Sequence, residues 1–127
     1  MFKVFVTPEM GRGLYSTRSI DKGETITLCE ILVLSPEDTV TVNTTDLKYY
    51  TFVYNEKQDC LVLGNGEIFN HADIPNVSFE LVDVGDRKMM QFKALEFILN
   101  GEQLFINYNQ DTDVSVQDYI TQKSLVG

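Results

Sequence analysis

The chain has 127 residues, 43% of them hydrophobic, and a formal net charge of −9. This length fits one domain with a real core, and no apolar run approaches the roughly 18 to 20 residues that a membrane span needs. The charge argues against a nucleic-acid binder, because neutralising phosphates requires clustered Lys and Arg.

The acidic balance leaves two explanations open. It is compatible with a basic partner such as a Lys/Arg-rich peptide, and equally with acidity that only serves solubility. The N-terminal residues alternate like a strand and lack the long apolar centre and small-residue cleavage site of a signal peptide, so we expect a soluble, intracellular protein. Cys29 and Cys60 are too few for a metal cluster or a disulfide framework, and their apolar neighbours predict buried thiols.

Short strands dominate the first half of the chain. The pattern predicts strands over residues 2–7, 14–17 and 25–34, with a loop at 8–13, a turn at 21–24 and a break at 35–38. Gly11 and Gly13 in the loop allow a tight turn and a close approach to the backbone. No third glycine opens a helix after them, so they do not form a dinucleotide-binding fingerprint.

The second half continues in the same way. Residues 39–48 are rich in Thr and Asn and have no firm assignment, whereas residues 46–54 predict a short helix that passes into a strand. Further strands are predicted over residues 60–63, 77–84, 89–94 and 103–108, with a hairpin turn at 85–88 and a short helix at 114–120. Closely spaced short strands favour a mainly β fold with little helix, in a single domain over residues 1–127.

Residues 63–77 contain the only histidine of the chain, His71, preceded by Asn70. Burying the two side chains together is costly unless each finds hydrogen-bond partners. The stretch therefore indicates either a polar centre inside a β-rich core or a histidine satisfied at a turn.

Three separated pieces of sequence share an order and spacing with a known family. They are Gly11-Arg12-Gly13-Leu14-Tyr15 with Lys22-Gly23-Glu24, Phe69-Asn70-His71 with Pro75-Asn76, and Gly101-Glu102-Gln103-Leu104 with Tyr108. Together they resemble the SET domain of protein lysine methyltransferases, whose pieces run G-x-G-(L/Y)-(F/Y), K-G-E, (F/I)-x-N-H-S-x-x-P-N and G-E-E-L-x-x-x-Y. The resemblance covers nearly the whole chain, which is similar in length to small viral and bacterial members.

The resemblance implies a fold of small curved β-sheets, with the C-terminal segment threaded through a loop as a pseudoknot. It implies S-adenosyl-L-methionine as cofactor and Tyr108 as the active-site tyrosine. It implies that cofactor contacts come from Gly11, Arg12, Gly13, Leu14, Asn70 and His71. Asn70 and His71 would fix the backbone beside the cofactor and seat the segment that carries Tyr108.

The resemblance also implies a groove for a basic protein or peptide, such as a histone-like tail, whose lysine reaches the methyl group through an aromatic channel. Tyr50 is the best match for the channel tyrosine, with Tyr49 and Tyr54 as competitors, and Phe79 is the second expected channel residue. Ordinary strand packing is the alternative for Phe79 and for the competing tyrosines. No metal, membrane or direct nucleic-acid contact is expected.

The chain departs from the family pattern at several places. Ala72 replaces the usual Ser, Asn107 replaces a frequent Asp, and the stretch between the first two pieces is short. No cysteine-rich segment follows Tyr108, so residues 110–127, including Tyr119 and Ile120, or a second subunit in a homodimer, are expected to close the site. A catalytically inactive peptide-binding module and a purely structural β-domain are the alternative functions. The sequence does not determine the substrate or the number of methyl groups transferred.

Overall fold

A computed structural model describes residues 1–8 and 11–108 of the chain. Its β-strands are β1 Phe2–Thr7, β2 Gly11–Ser16, β3 Thr25–Val33, β4 Thr51–Val53, β5 Asp59–Val62, β6 Asn70–His71, β7 Val77–Val84, β8 Arg87–Ala94 and β9 Gln103–Ile106. Its helices are α1 Pro36–Val42 and two 3₁₀ helices, Asp46–Tyr50 and Gly64–Ile68. The prediction of a mainly β fold with little helix is confirmed. No helix in the described part of the chain is long and apolar enough to cross a membrane.

The strands form two sheets. The four-stranded sheet has the order β1-β2-β9-β6, and the five-stranded sheet has the order β4-β5-β3-β8-β7. Strand β9 lies between β2 and β6, antiparallel to the first and parallel to the second. The last described strand is thus inserted between strands that precede it by more than thirty residues.

One hydrophobic core joins both sheets. Leu14 and Leu104 come from the four-stranded sheet, and Phe92 from the five-stranded sheet; all three side chains are fully buried. Phe69 stacks on Phe92 with ring centroids 4.5 Å apart, which connects the approach to β6 with the second sheet. The predicted buried thiols are confirmed, since Cys29 and Cys60 are both buried.

Two helical segments were not predicted. Helix α1 begins where residues 35–38 were expected only to break a strand: the Ser35 hydroxyl accepts a hydrogen bond from the Asp38 N–H, and Pro36 opens the first turn. These are ordinary start signals of a helix. The 3₁₀ helix Gly64–Ile68 packs against the core, and Gly66 is required there because a Cβ would lie 2.3 Å from Val62 Cγ1.

Several boundaries also differ from prediction. Strand β2 begins at Gly11, so the glycines expected in a loop belong to a strand paired with β1. Strand β9 ends at Ile106 rather than at residue 108. The hairpin between β7 and β8 needs only Gly85 and Asp86, with Gly85 at φ +64°. The helix predicted at 114–120 lies outside the described residues.

Candidate active site

The pairing of β6 with β9 brings two of the three sequence pieces together. Asn70 lies opposite Phe105 and His71 opposite Ile106 in a parallel ladder. The ladder continues past the strand, since the Ala72 N–H donates to the Ile106 carbonyl at 2.9 Å. The segment that leads to Tyr108 is therefore held along its backbone by the Asn-His segment.

Asn70 connects this pair to the glycine-containing strand. Its Nδ2 donates to the Arg12 carbonyl at 3.0 Å. A Cβ at Gly13 would lie 2.6 Å from Gln103 Nε2 and 3.0 Å from Asn70 Nδ2. A side chain at position 13 would force two amide side chains, from β6 and β9, to move, because they occupy the space beside the Gly13 backbone.

Tyr108 is held at both its main chain and its hydroxyl. Its N–H donates to His71 Nδ1 at 3.0 Å, and its hydroxyl donates to the Phe69 carbonyl at 2.9 Å. The ring lies 4.9 Å from the His71 ring, centroid to centroid, and the residue is 51% exposed. Its position is thus defined while one side of it faces solvent.

The hydrogen bonds of His71 specify its tautomer. Because Nδ1 accepts from the Tyr108 N–H, the ring proton of the neutral imidazole lies on Nε2, which is 3.0 Å from Asp73 Oδ1. Both ring nitrogens therefore have partners, and the contact at Nδ1 holds the main chain of Tyr108. This agrees with the seating role expected for His71.

Asn76 holds β9 from the side. It is 8% exposed; its Nδ2 donates to the Gln103 carbonyl at 2.9 Å, and its Oδ1 accepts from the Phe105 N–H at 2.8 Å. In the sequence, Asn76 is part of the family pattern, and no role was predicted for it. Nothing in the local sequence identifies its partners, which are 27 and 29 residues away.

The Lys-Gly-Glu turn has a structural explanation. Gly23 has φ +84°, and the Asp21 N–H donates to Glu24 Oε1 at 3.1 Å. Arg18 forms a hydrogen-bonded ion pair with Glu24, and this contact lowers the pKa of the Glu24 carboxyl below its ordinary value. The turn is attached to the end of β8, because the Gly23 N–H donates to the Ala94 carbonyl at 2.8 Å.

The structure brings together most of the predicted site residues. Arg12, Gly13, Asn70, His71 and Tyr108 are linked by the contacts described above. Their roles in binding and catalysis stay predictions.

Two further predicted cofactor residues flank this group. Gly11 begins β2 at φ +68°, a backbone conformation that favours glycine. The Leu14 side chain is fully buried in the core, so only its backbone could contact a ligand.

The predicted channel residues are carried by other elements than the residues linked to Tyr108. Tyr50 ends a 3₁₀ helix and is 46% exposed. Phe79 packs edge-to-face on Phe52 with centroids 5.1 Å apart, and lies 6.2 Å from the Phe92 ring that stacks on Phe69. Phe79 is thus connected through Phe92 to Phe69, whose carbonyl accepts from the Tyr108 hydroxyl, and the channel assignment for both residues stays a prediction.

The competing tyrosines differ in exposure. Tyr49 is 65% exposed, whereas Tyr54 is partly buried against the core. The core contact of Tyr54 is compatible with the packing alternative, and the assignment of the channel tyrosine stays a prediction.

The residues at this site fit the implied cofactor. Gln103 Nε2 is buried without a hydrogen-bond partner in the described structure, directly beside Gly13 and Asn70. Unpaired amide donors of this kind can bind the acceptor atoms of a polar ligand. Among residues 1–8 and 11–108, no group of three or more His, Cys, Asp or Glu side chains could hold a metal ion.

The sequence model of the SET domain matches residues 11–109. A histone-lysine N-methyltransferase of Schizosaccharomyces pombe, specific for lysine 37 of histone H3, is 30% identical over 103 residues, which are 80% of this chain and 69% of that protein. The chain belongs to the SET-domain family.

Solved structures agree with this fold. A Plasmodium falciparum protein described as a candidate histone methyltransferase superposes with a TM-score of 0.69 at 23% identity, over 88% of this chain and all of that chain. A chain of an active polycomb repressive complex 2 superposes with a TM-score of 0.72 at 22% identity, over 87% of this chain but only 15% of the longer one.

Proposed function

We propose that this protein is a protein-lysine N-methyltransferase that uses S-adenosyl-L-methionine to methylate a lysine of a basic protein, such as a histone-like tail. The observation that carries the proposal is the position of Tyr108, which is held by hydrogen bonds to His71 and to the Phe69 carbonyl. Asn70, next to His71, joins this group to the glycine-containing strand through the Arg12 carbonyl. The fission yeast relative has an activity of this class by its name, and it is similar over most of this chain.

The hydroxyl of Tyr108 is suited to act as an acceptor. Because its hydrogen is donated to the Phe69 carbonyl, the oxygen can interact with the reacting groups only through its lone pairs. They can accept a hydrogen bond from the substrate amine or a weak C–H···O contact from the methyl group. The hydrogen bond to the Phe69 carbonyl keeps the hydroxyl oxygen in place. A fixed oxygen helps to align the reacting groups, and alignment is the main requirement of a displacement reaction.

The substrate lysine must be neutral to react. A free lysine has a pKa near 10.4, so making it neutral at pH 7 costs about 4.6 kcal/mol. An aromatic channel would lower this cost by disfavouring the ammonium form, and the aromatic faces would attract a methylated ammonium by cation–π contact. We assign this channel to Tyr50 and Phe79. The cofactor supplies a methyl group on a positively charged sulfur, and this charge makes the methyl carbon electrophilic without a metal.

The net charge of −9 favours a Lys/Arg-rich substrate segment. Residues 110–127 or a second copy of the chain would complete the substrate side of the site. Neither closure involves a zinc-binding segment.

Two measurements test the proposal. Calorimetric titration with S-adenosyl-L-methionine should show one site per chain, and radiolabelled methyl transfer onto a host lysate should label a protein that mass spectrometry identifies as methylated on lysine. Absence of cofactor binding would rule out both the activity and the cofactor. Cofactor binding without transfer to any protein would instead support the inactive peptide-binding module.

A further inference from the structure

Gln103 lies on the same face of the four-stranded sheet as Gly13. It is paired with Tyr15 across the β2–β9 ladder, and Gly13 lies two residues before Tyr15 on the same strand. Side chains alternate along a strand, so Leu14 and Leu104 point to the opposite face, where both are fully buried in the core. Gln103 thus points away from the core, toward the predicted cofactor backbone.

The terminal amide of Gln103 has a donor without an acceptor. Nε2 is buried and has no hydrogen-bond partner in the part of the chain that the structure describes. It would contact a Cβ at Gly13 at 2.6 Å, on the side where Asn70 Nδ2 would contact the same atom at 3.0 Å. Asn70 uses one N–H on the Arg12 carbonyl, which leaves its second N–H to share this space with the Gln103 amide.

We propose that Gln103 is a cofactor-binding residue whose amide N–H donates to the carboxylate of the amino-acid part of S-adenosyl-L-methionine; this rests on the proposed function. The carboxylate is the one anionic group of that molecule, and a hydrogen bond from a neutral donor to an ionised acceptor is stronger than one between neutral groups. A chain with a net charge of −9 needs local donors to hold an anion.

The proposed contact requires the terminal amide to rotate. Gln103 as a whole is only partly buried, although Nε2 is covered, so a rotation toward the exposed part of the residue would present the N–H to a ligand. The family pattern has Glu at this place, and an ionised Glu offers acceptors only. The donor at Gln103 therefore gives this chain a contact that the general pattern does not contain.

The assignment predicts opposite effects on stability and on binding. A buried donor without an acceptor destabilises the free protein, and an apolar side chain of the same shape removes that penalty. Gln103→Met should therefore leave the melting temperature of the free protein unchanged or raised. The same variant should bind the cofactor more weakly.

The experiment uses two ligands that differ in the amino-acid part. S-adenosylhomocysteine carries the carboxylate, whereas 5′-methylthioadenosine lacks the whole amino-acid group. Calorimetry should show that Gln103→Met weakens S-adenosylhomocysteine by about tenfold and leaves 5′-methylthioadenosine unchanged. Gln91→Met is the matched control: Gln91 is a partly buried strand residue of β8 whose Nε2 donates to Thr25 Oγ1 at 3.1 Å, and its variant should bind both ligands as the wild type does.

Each outcome separates this assignment from the proposed function. If the wild type binds neither ligand, both proposals are wrong. If the wild type binds S-adenosylhomocysteine and Gln103→Met binds it equally well, only the role of Gln103 is wrong. Equal weakening of both ligands, or a lower melting temperature of the free variant, would assign Gln103 a structural role and also overturn the inference.

Discussion

Replacing Asn76 with Ala should release β9 from its side contact. The side chain makes two hydrogen bonds to β9, to the Gln103 carbonyl at 2.9 Å and from the Phe105 N–H at 2.8 Å. Each backbone group left unpaired in a buried place costs about 1–3 kcal/mol. With partial relaxation, Asn76→Ala should lower the free energy of unfolding by about 2–4 kcal/mol, a large share of the roughly 5–15 kcal/mol of a typical domain.

Urea unfolding followed by circular dichroism measures this loss. The transition midpoint should fall by roughly 1–3 M with an unchanged slope. Asn65→Ala is the control, because Asn65 is exposed, and its midpoint should stay near that of the wild type. Asn76→Asp should lose less stability in acid than at pH 7, because only a protonated carboxyl can donate to the Gln103 carbonyl.

A loss below about 1 kcal/mol in Asn76→Ala would refute the reasoning, since it would mean that β9 is held by its ladders alone. The same conclusion would follow if Asn76→Asp showed no dependence on pH. The wild type and Asn65→Ala should stay folded under the same conditions. The difference in the free energy of unfolding then measures the Asn76 contacts rather than a generally low stability of the protein.

Three substitutions test the remaining site contacts. Tyr108→Phe removes the hydroxyl acceptor and should reduce methyl transfer at least tenfold, while cofactor affinity by calorimetry stays roughly as in the wild type. Full activity of this variant would exclude the assigned role. His71→Ala removes the acceptor of the Tyr108 N–H and should lower both the melting temperature and the cofactor affinity, whereas loss of methyl transfer alone would indicate a direct catalytic histidine. Gly13→Ala forces the amides of Gln103 and Asn70 to move, and should weaken cofactor binding by about tenfold or more; unchanged binding in calorimetry would show that this space is not part of the cofactor site.

Local sequence patterns were sufficient for most of the strands. Alternation predicted β1 over Phe2–Thr7 with its observed bounds, and the hairpin turn predicted at 85–88 is present, although it needs only Gly85 and Asp86. These features depend on neighbours along the chain, which is the information that a local pattern contains. Helix α1 shows the limit of such reading, because Ser35 and Pro36 serve equally to break a strand and to start a helix.

The order and spacing of the three pieces were also enough to identify the SET-domain family, which the family match over residues 11–109 confirms. The expected seating role of His71 agrees with its acceptor contact to the Tyr108 N–H. The catalytic and cofactor-binding roles stay predictions, because they depend on a bound ligand. Residues 110–127, expected to close the site, lie outside the described residues.

Only the tertiary structure decided how the Asn-His stretch acts. The stretch pairs in parallel with a strand more than thirty residues later, and no local periodicity specifies such a partner. The same long-range pairing brings Gln103 beside Gly13, gives Asn76 its two partners on β9, and directs the Tyr108 hydroxyl to the Phe69 carbonyl. The sequence identified Asn70, His71 and Tyr108 as predicted site residues, and the insertion of β9 between β2 and β6 determined which residues meet there.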